Sequence, residues 1–297
     1  MSSVSESPIR GSSVRLITPG ARRTTLRTDD GLPIEAVYEP CTTGAAPGAD
    51  DGDAGTAIVV AHGFTGSVDR PAVRRAAGVF AQRAAVITFS FRGHGGSGGR
   101  STVGDREVLD LAAAVAWARS LGHRRVVTVG FSMGGSVVLR HGALYTAPGT
   151  SPDTAQLARP VPAHGGRIAA HADAVVAVSA PARWYYRGTA PMRRLHWVVT
   201  RPTGRLVGRY GFRTRIDRKE WDPVPLSPVE AVPLIAPAPL LIVHGDQDPY
   251  FPLDHPRMLA DAAQGGAELW VQRGMGHAEN AADESLLTRI ADWAVAE

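Results

Sequence analysis

Cysteine and lysine are almost absent from this sequence of 297 residues, which contains one of each, Cys41 and Lys219. A single cysteine excludes a disulfide bond within the chain and argues against a cysteine-based metal site. The sequence also lacks an uninterrupted apolar run of about 18 residues, so it predicts no membrane-spanning helix. The segment from Met1 to Gly20 is polar and serine-rich, without the apolar centre of a signal peptide. We therefore expect a cytoplasmic protein without integral membrane association.

Positive charge is confined largely to one segment. The chain has a net charge of +4 and an isoelectric point near 9.6. Between Arg183 and Asp222, ten arginines and one lysine oppose three acidic residues, so this segment carries +8 and the remainder is slightly acidic. A basic protein invites a nucleic-acid interpretation, but one basic strip matches no known nucleic-acid-binding motif. We therefore expect no nucleic-acid partner.

Short apolar runs alternate with helical patterns over most of the chain. The runs are Thr24–Arg27, Ile34–Glu39, Ala57–Ala61, Val86–Phe91, Val126–Val129, Ala174–Val178, Leu240–Val243 and Leu269–Val271. The helical patterns are Arg70–Arg83, Asp105–Leu121, Met133–Tyr145, Pro252–Ala263 and Ala281–Val295. This alternation predicts an α/β fold with a mainly parallel sheet covered by helices on both faces. In such sheets the loops at the carboxyl ends of the strands form the functional site.

Three segments depart from this alternation. Gly44–Gly55 and Ala147–Gly166 are rich in glycine with alanine or proline, and they predict surface connections. Arg183–Pro239 is longer and predicts an inserted cap. The predicted organisation is a flexible segment at 1–20, a core formed by 21–182 and 240–297, and a small cap at 183–239.

Ser132 lies in the motif Gly130-Phe131-Ser132-Met133-Gly134-Gly135, where an apolar run turns directly into a helical pattern. The pattern G-x-S-x-G requires this context, because a tight turn between strand and helix exposes the serine and leaves room only for small neighbours. The amino terminus of the helix also favours negative charge developing at the site. Ser132 is therefore the candidate nucleophile.

A second match to the same pattern surrounds Ser97 in Gly95-Gly96-Ser97-Gly98-Gly99. It follows Arg92-Gly93-His94, and no apolar helix follows it. We interpret this match as a loop and not as a second nucleophile.

Four motifs occur in the order typical of one superfamily: His62-Gly63-Phe64-Thr65-Gly66, Arg92-Gly93-His94-Gly95, the Ser132 motif, and His244-Gly245-Asp246-Gln247-Asp248 ahead of Gly276-His277. Through them the chain resembles the α/β-hydrolase superfamily from about Thr24 to its end. It resembles most the compact serine esterases and lipases, such as monoacylglycerol-lipase-like and serine-aminopeptidase-like hydrolases. This resemblance implies the α/β-hydrolase fold, with a sheet of the eight-stranded type. Ser90 departs from the pattern, because many relatives carry an aspartate two residues before the arginine.

A serine nucleophile needs a base and an acid that orients the base. The superfamily's chain order is serine, acid and histidine, and most of the other histidines lie before Ser132 or in irregular segments, which leaves His255 as the main rival of His277. His277 is favoured because small residues connect it to the preceding strand and let the imidazole reach the serine. Asp246 and Asp248 both follow the Leu240–Val243 run. By resemblance Asp248 is the acid, and Asp246 shapes the turn.

Two backbone N–H groups are expected to stabilise an oxyanion. One is that of Met133, directly after the nucleophile, and the other is that of Phe64, which matches the donor position of the relatives. His62 also lies in this loop, but the resemblance gives it a structural role. No metal cluster or phosphate-binding motif calls for a cofactor, so none is expected.

The predicted cap combines aromatic residues with its arginines. The simpler interpretation is a solvated basic face, with the aromatic residues holding the cap together. The sharper hypothesis is a small-molecule ester-like substrate of anionic or amphiphilic character.

The function predicted from these features is hydrolysis of a carboxylic ester through an acyl-enzyme on Ser132. Thioesterase, amidase, C–C hydrolase and cofactor-free perhydrolase activities remain alternatives, because fold and triad do not choose among them. A non-catalytic ligand-binding protein on the same fold is the alternative from another class.

Overall fold

The central feature of the protein is one sheet of eight strands in the order β1-β2-β4-β3-β5-β6-β7-β8. The computed structural model describes residues 20–43, 55–147 and 170–296. The strands are β1 (Arg22–Arg27), β2 (Pro33–Glu39), β3 (Thr56–Ala61), β4 (Ala85–Phe89), β5 (Arg125–Phe131), β6 (Ala174–Val178), β7 (Leu240–Gly245) and β8 (Ala267–Gln272). Strand β2 is antiparallel to β1 and β4, whereas the pairs from β4 to β8 are parallel. The predicted fold class is therefore confirmed.

Helices cover both faces of this sheet. They are α1 (Pro71–Phe80), α2 (Glu107–Ser120), α3 (Met133–Leu144), α4 (Ala190–Thr200), α5 (Pro202–Tyr210), α6 (Pro228–Ala231), α7 (Asp254–Ala262), α8 (Ala278–Ala281) and α9 (Glu284–Ala296). Side chains of β3 alternate between the two faces, as the period of a strand requires. Val59 belongs to the buried cluster that also contains residues of α2, α3 and α7, whereas Ile58 and Val60 belong to the cluster that contains residues of α1 and α9. None of the helices in the described ranges has the length and hydrophobicity needed to cross a bilayer.

The helix expected at Ala281–Val295 corresponds to α9, which begins three residues later at Glu284, and the one-turn helix α8 precedes it. Asp283 lies directly before α9, and its Oδ1 atom accepts a hydrogen bond from the backbone N–H of Leu286 at 2.8 Å. This is the arrangement of an amino-terminal cap, which fixes the start of α9.

The segment predicted as a cap contains α4, α5 and α6 between β6 and β7. Its last part returns to the body of the protein, because Val232 and Ile235 are buried in the cluster that also contains residues of α3. The division into core and cap at 183–239 stays a prediction. The connections predicted at Gly44–Gly55 and Ala147–Gly166 and the segment 1–20 lie almost entirely outside the described residues.

Candidate active site

Ser132 occupies a strained turn between β5 and α3, with φ 53° and ψ −113°. A non-glycine residue rarely adopts a positive φ, and such strain clusters at functional sites. The turn leaves no room for larger neighbours: a Cβ on Gly130 would lie 2.2 Å from the carbonyl oxygen of Gly134, and one on Gly134 would lie 2.1 Å from that of Ala61. Glycine is therefore required at positions 130 and 134 because any larger side chain would clash with the backbone.

Three predicted site residues meet although they lie far apart in the sequence. The Nε2 atom of His277 lies 2.8 Å from the Oγ atom of Ser132. Its Nδ1 atom lies 2.7 Å from Oδ2 of Asp248. With Nδ1 protonated, His277 donates to the carboxylate and accepts the hydroxyl proton of the serine, which is the arrangement of nucleophile, base and orienting acid.

Asp248 is held by its own loop. Its Oδ1 atom accepts hydrogen bonds from the backbone N–H groups of Tyr250 at 2.8 Å and Phe251 at 3.1 Å. Burial acts to raise the pKa of this carboxyl, but the hydrogen bond and positive charge of His277 outweigh it, together with the backbone donors. The pKa of Asp248 therefore lies below its usual range, and the residue is ionised at neutral pH.

Aromatic rings restrict the His277 side chain. The Tyr250 ring lies 4.3 Å from the imidazole, centroid to centroid, and the Phe251 ring lies 5.6 Å from it. The loops carrying the acid and the base are joined by a hydrogen bond of 3.0 Å from the N–H of Gln247 to the carbonyl oxygen of Met275. These contacts fix the base relative to the acid, as a preorganised site requires.

The two backbone groups expected to bind an oxyanion are available. Within the part of the chain that the structure describes, the N–H groups of Phe64 and Met133 donate no hydrogen bond to other protein atoms. Met133 begins α3, where the first N–H groups have no acceptor inside the helix. Both residues line the same cavity as Ser132. Their assignment to an oxyanion hole stays a prediction.

His62 has a structural role, as expected. Its Nδ1 group donates to the carbonyl oxygen of Gly63 at 2.7 Å, and its Nε2 atom accepts from the N–H of Phe91 at 3.0 Å. Burial and the neighbouring His94 lower the pKa of His62 to about 3, so it is neutral. His62 thereby joins the loops that follow β3 and β4.

Ser97 is also structural. It is buried, donates to the carbonyl oxygen of Ser90 at 2.5 Å, and accepts from the N–H of Glu35 at 2.9 Å. Glu35 also explains the departure at Ser90: its Oε2 atom accepts from the Ser90 hydroxyl at 3.1 Å and from the N–H of Gly96 at 3.0 Å. A carboxylate from β2 therefore contacts both Ser90 and the loop after β4.

Asp246 and His255, the alternatives to Asp248 and His277, form contacts outside the group of Ser132, His277 and Asp248. Asp246 accepts a hydrogen bond from the N–H of Gly274 at 2.6 Å. It thus supports the loop after β8, and the expectation that it acts through its own turn is incomplete. His255 accepts from the N–H of Ala182 at 2.9 Å and packs against Tyr186.

Two residues that sequence reasoning missed support the site. Glu279 is 5% exposed, and its Oε1 atom accepts a hydrogen bond from the N–H of Gly63 at 3.0 Å. Ser179, with φ 51°, accepts through Oγ from the N–H of Ala278 at 3.1 Å, next to His277. No local pattern identifies either residue, because each partner lies far away in the sequence.

A cavity of about 680 Å³ opens over Ser132. Phe64, Met133 and Phe251 are among its lining residues, and the predicted cap supplies most of the others. The cap residues that line it combine apolar, polar and charged side chains: Trp184, Tyr185, Tyr186, Met192, Leu195, Val199, Ile216, Trp221, Val224, His196, Thr200, Arg183, Arg187, Arg205, Arg218, Lys219, Asp217 and Glu220. Among the described residues, no group of three histidine, cysteine or acidic side chains is arranged to hold a metal ion.

Solved structures of esterases and serine hydrolases share this fold. The chain is 20% identical to the esterase Pf2001 of Pyrococcus furiosus, covering 92% of this chain and 91% of that one, with a TM-score of 0.63. A serine hydrolase without a lid from Xanthomonas campestris is 18% identical, covering 95% and 96%, with a TM-score of 0.57. The ferulic-acid-bound Est1E of Butyrivibrio proteoclasticus is 16% identical, covering 92% and 100%, with a TM-score of 0.55. At these identities the likeness concerns the fold.

The family assignment comes from the sequence. No curated protein matches the chain. The model of the alpha/beta hydrolase family matches residues 58–286, which include the turn at Ser132 and both loops that carry Asp248 and His277. The chain therefore belongs to the alpha/beta hydrolase family.

Proposed function

We propose that the protein is a serine hydrolase that cleaves a carboxylic ester through an acyl-enzyme on Ser132. The observation that supports this most is the position of His277, which contacts both Ser132 and Asp248 in one tautomer. A protein that only binds ligands needs neither this chain of hydrogen bonds between Ser132, His277 and Asp248 nor the strained backbone conformation of Ser132.

In the first half of the reaction, the Ser132 oxygen attacks the carbonyl carbon of the ester while its proton moves to Nε2 of His277. The negative charge on the former carbonyl oxygen is stabilised by the N–H groups of Phe64 and Met133, and loss of one such donor typically costs about 10²- to 10³-fold in rate. The imidazolium of His277, held by ionised Asp248, then donates its proton to the departing alcohol. The acyl group remains as an ester on Ser132.

In the second half, a water molecule attacks the acyl-enzyme and His277 accepts its proton. The same proton returns to the Ser132 oxygen when the carboxylic acid leaves. The apolar and aromatic lining of the cavity favours an acyl or alcohol part with an apolar body.

The test is labelling with a fluorophosphonate probe beside turnover of p-nitrophenyl esters of increasing acyl length and of a matched thioester. We expect the wild type to label and turn over, and the Ser132→Ala variant to do neither. Ser97→Ala is the matched control, because it removes the serine of the other G-x-S-x-G sequence and should keep labelling. Faster turnover of the thioester would favour the thioesterase alternative. A folded wild type that never labels would refute the proposal in favour of a binding protein.

A further inference from the structure

Exposed apolar side chains are concentrated on one part of the predicted cap. Seven of the nine exposed large hydrophobic residues in the described ranges lie between Tyr185 and Val224. Five of them belong to α4, α5 and the turn that follows, and we call these the cap patch: Trp197, Leu206, Val207, Tyr210 and Phe212, which are 42–75% exposed. Large exposed apolar side chains gathered on two packed helices and the following turn indicate an interaction surface.

Arginines are interleaved with the cap patch. They are Arg193, Arg194, Arg201, Arg209 and Arg213, all exposed. Within the described chain none of them forms an ion pair with a carboxylate. The sequence from Pro181 to Ile216 contains no acidic residue at all. The positive charge of this surface is therefore not neutralised by the protein itself.

The cap patch is distinct from the wall of the cavity. Met192, Leu195 and Val199 of α4 line the cavity, whereas Arg193, Arg194 and Trp197 occupy the exposed side of the same helix. In α5 the inner positions Gly204 and Gly208 are buried against Trp197–Val198 and Ile216, and Leu206, Val207 and Tyr210 are exposed. The two helices thus present an outer face of aromatic, aliphatic and arginine side chains.

We propose that the cap patch docks the protein on the surface of an anionic lipid bilayer. A helix that joins arginines to exposed Trp, Tyr and Leu side chains has the composition of a segment lying in the membrane interface. Each arginine near an anionic bilayer strengthens binding by about fivefold. Aromatic and aliphatic side chains of the cap patch then leave water for the boundary between headgroups and acyl chains.

Two other occupants fit this surface less well. A second copy of the chain would bring two segments of +8 together, and like charges in contact oppose association. A nucleic acid would satisfy the arginines and stack on the aromatic rings, but it offers no hydrocarbon to Leu206 and Val207. An anionic bilayer offers negative headgroups to the arginines and hydrocarbon to the apolar side chains of the cap patch.

The experiment uses the full-length Ser132→Ala protein, so that lipid hydrolysis cannot interfere. Co-sedimentation is measured with vesicles of equimolar phosphatidylglycerol and phosphatidylcholine and with vesicles of phosphatidylcholine alone. We expect at least about tenfold stronger binding to the anionic vesicles, weakened by salt. Arg194→Gln with Arg201→Gln should reduce this binding by about 20-fold, whereas Arg257→Gln with Arg273→Gln removes the same charge elsewhere and should change it less than about twofold.

The apolar half is tested separately. Trp197→Ser with Tyr210→Ser should reduce binding to anionic vesicles by at least about tenfold, and Val271→Ser, an exposed apolar residue outside the cap, should leave it unchanged. Equal binding to both vesicle types, no binding to either, tighter binding to a DNA duplex, or dimerisation lost with Trp197→Ser would each overturn the proposal. The same patch substitutions are also made in the protein that retains Ser132, and turnover of a soluble short-chain ester is measured. This turnover tests the proposed hydrolase activity separately from vesicle binding.

Discussion

Glu279 and Gly63 are joined by a hydrogen bond of 3.0 Å from the backbone N–H of Gly63 to the Oε1 atom of the buried carboxylate. Gly63 lies directly before Phe64, whose N–H is a proposed oxyanion donor, and Glu279 follows His277 by two residues. A Cβ on Gly63 would lie 3.4 Å from Cβ of Ser132. This bond therefore links the loops of the nucleophile, the base and the oxyanion donor.

Removing this bond should slow the reaction without changing the chemistry. We expect Glu279→Ala to lower kcat by about 10- to 100-fold, because small displacements of a catalytic loop are costly, with little change in KM. Glu279→Gln retains an oxygen acceptor for the Gly63 N–H and should recover most of the lost rate. Steady-state kinetics with a soluble p-nitrophenyl ester and thermal unfolding of both variants provide the check. Equal loss in both variants would show that the negative charge, and not the positioning of the loop, is what the site requires.

Two glycine substitutions should have opposite effects. Gly134→Ala would place a Cβ 2.1 Å from the carbonyl oxygen of Ala61, so we expect loss of folded, active protein.

Gly78 lies exposed in α1 with nothing within 4 Å of its added Cβ. Gly78→Ala should therefore stabilise the protein by about 0.5–1 kcal/mol, because alanine loses less backbone entropy in a helix. Thermal unfolding measures both, and a rise in Tm of about 2 °C is expected for Gly78→Ala.

We expect Arg187 to bind an acidic group on the substrate. It lines the cavity, and its Nε group donates to Nδ1 of His196 at 3.3 Å. His196 in turn donates from Nε2 to the carbonyl oxygen of Tyr186 at 3.1 Å, and burial with the charge of Arg187 lowers its pKa, so it is neutral at neutral pH. The Nη groups of Arg187 have no acceptor among the described residues.

We expect Arg187→Gln to raise KM by about tenfold for an ester that carries a free carboxylate, such as p-nitrophenyl hemisuccinate. The KM for neutral p-nitrophenyl butyrate should change by less than about twofold. Arg194→Gln, which lies outside the cavity, is the control for net charge. Equal changes for both esters would leave the solvated-face interpretation of these arginines as the better one.

Buried histidines should make the protein sensitive to acid. Burial lowers the pKa of His62 to about 3, of His94 to about 4 and of His141 to about 3, from 6.5. Below about pH 6.5 these histidines are protonated in the unfolded chain but stay neutral in the folded protein. The free energy of unfolding therefore decreases as the pH is lowered. Each histidine contributes up to about 1.4 kcal/mol per pH unit until its folded pKa is reached.

Urea denaturation at a series of pH values from neutral to about 5 measures this dependence. We expect His141→Phe to reduce the slope by the equivalent of one proton, because His141 is fully buried and stacks on Tyr145 at 4.6 Å. An unchanged slope would show that His141 is protonated in the folded protein.

Local spacing in the sequence predicted the strands and helices of the sheet and singled out Ser132 as the candidate nucleophile. Apolar runs alternating with helical patterns predicted the parallel sheet, because the two periods describe which side chains a strand and a helix bury. The strand, turn and helix around Ser132 singled it out from the matching sequence at Ser97. Asp248 and His277 required the chain order of a known superfamily in addition.

Only the tertiary structure decided what supports these residues. Glu35 accepts a hydrogen bond from the Ser90 hydroxyl, and Glu279 accepts one from the N–H of Gly63. Both contacts join segments that are distant along the chain, and their geometry depends on how neighbouring strands are aligned. Local periodicity determines which face of an element is buried, but the partner of a buried polar group is set by the packing of the whole sheet.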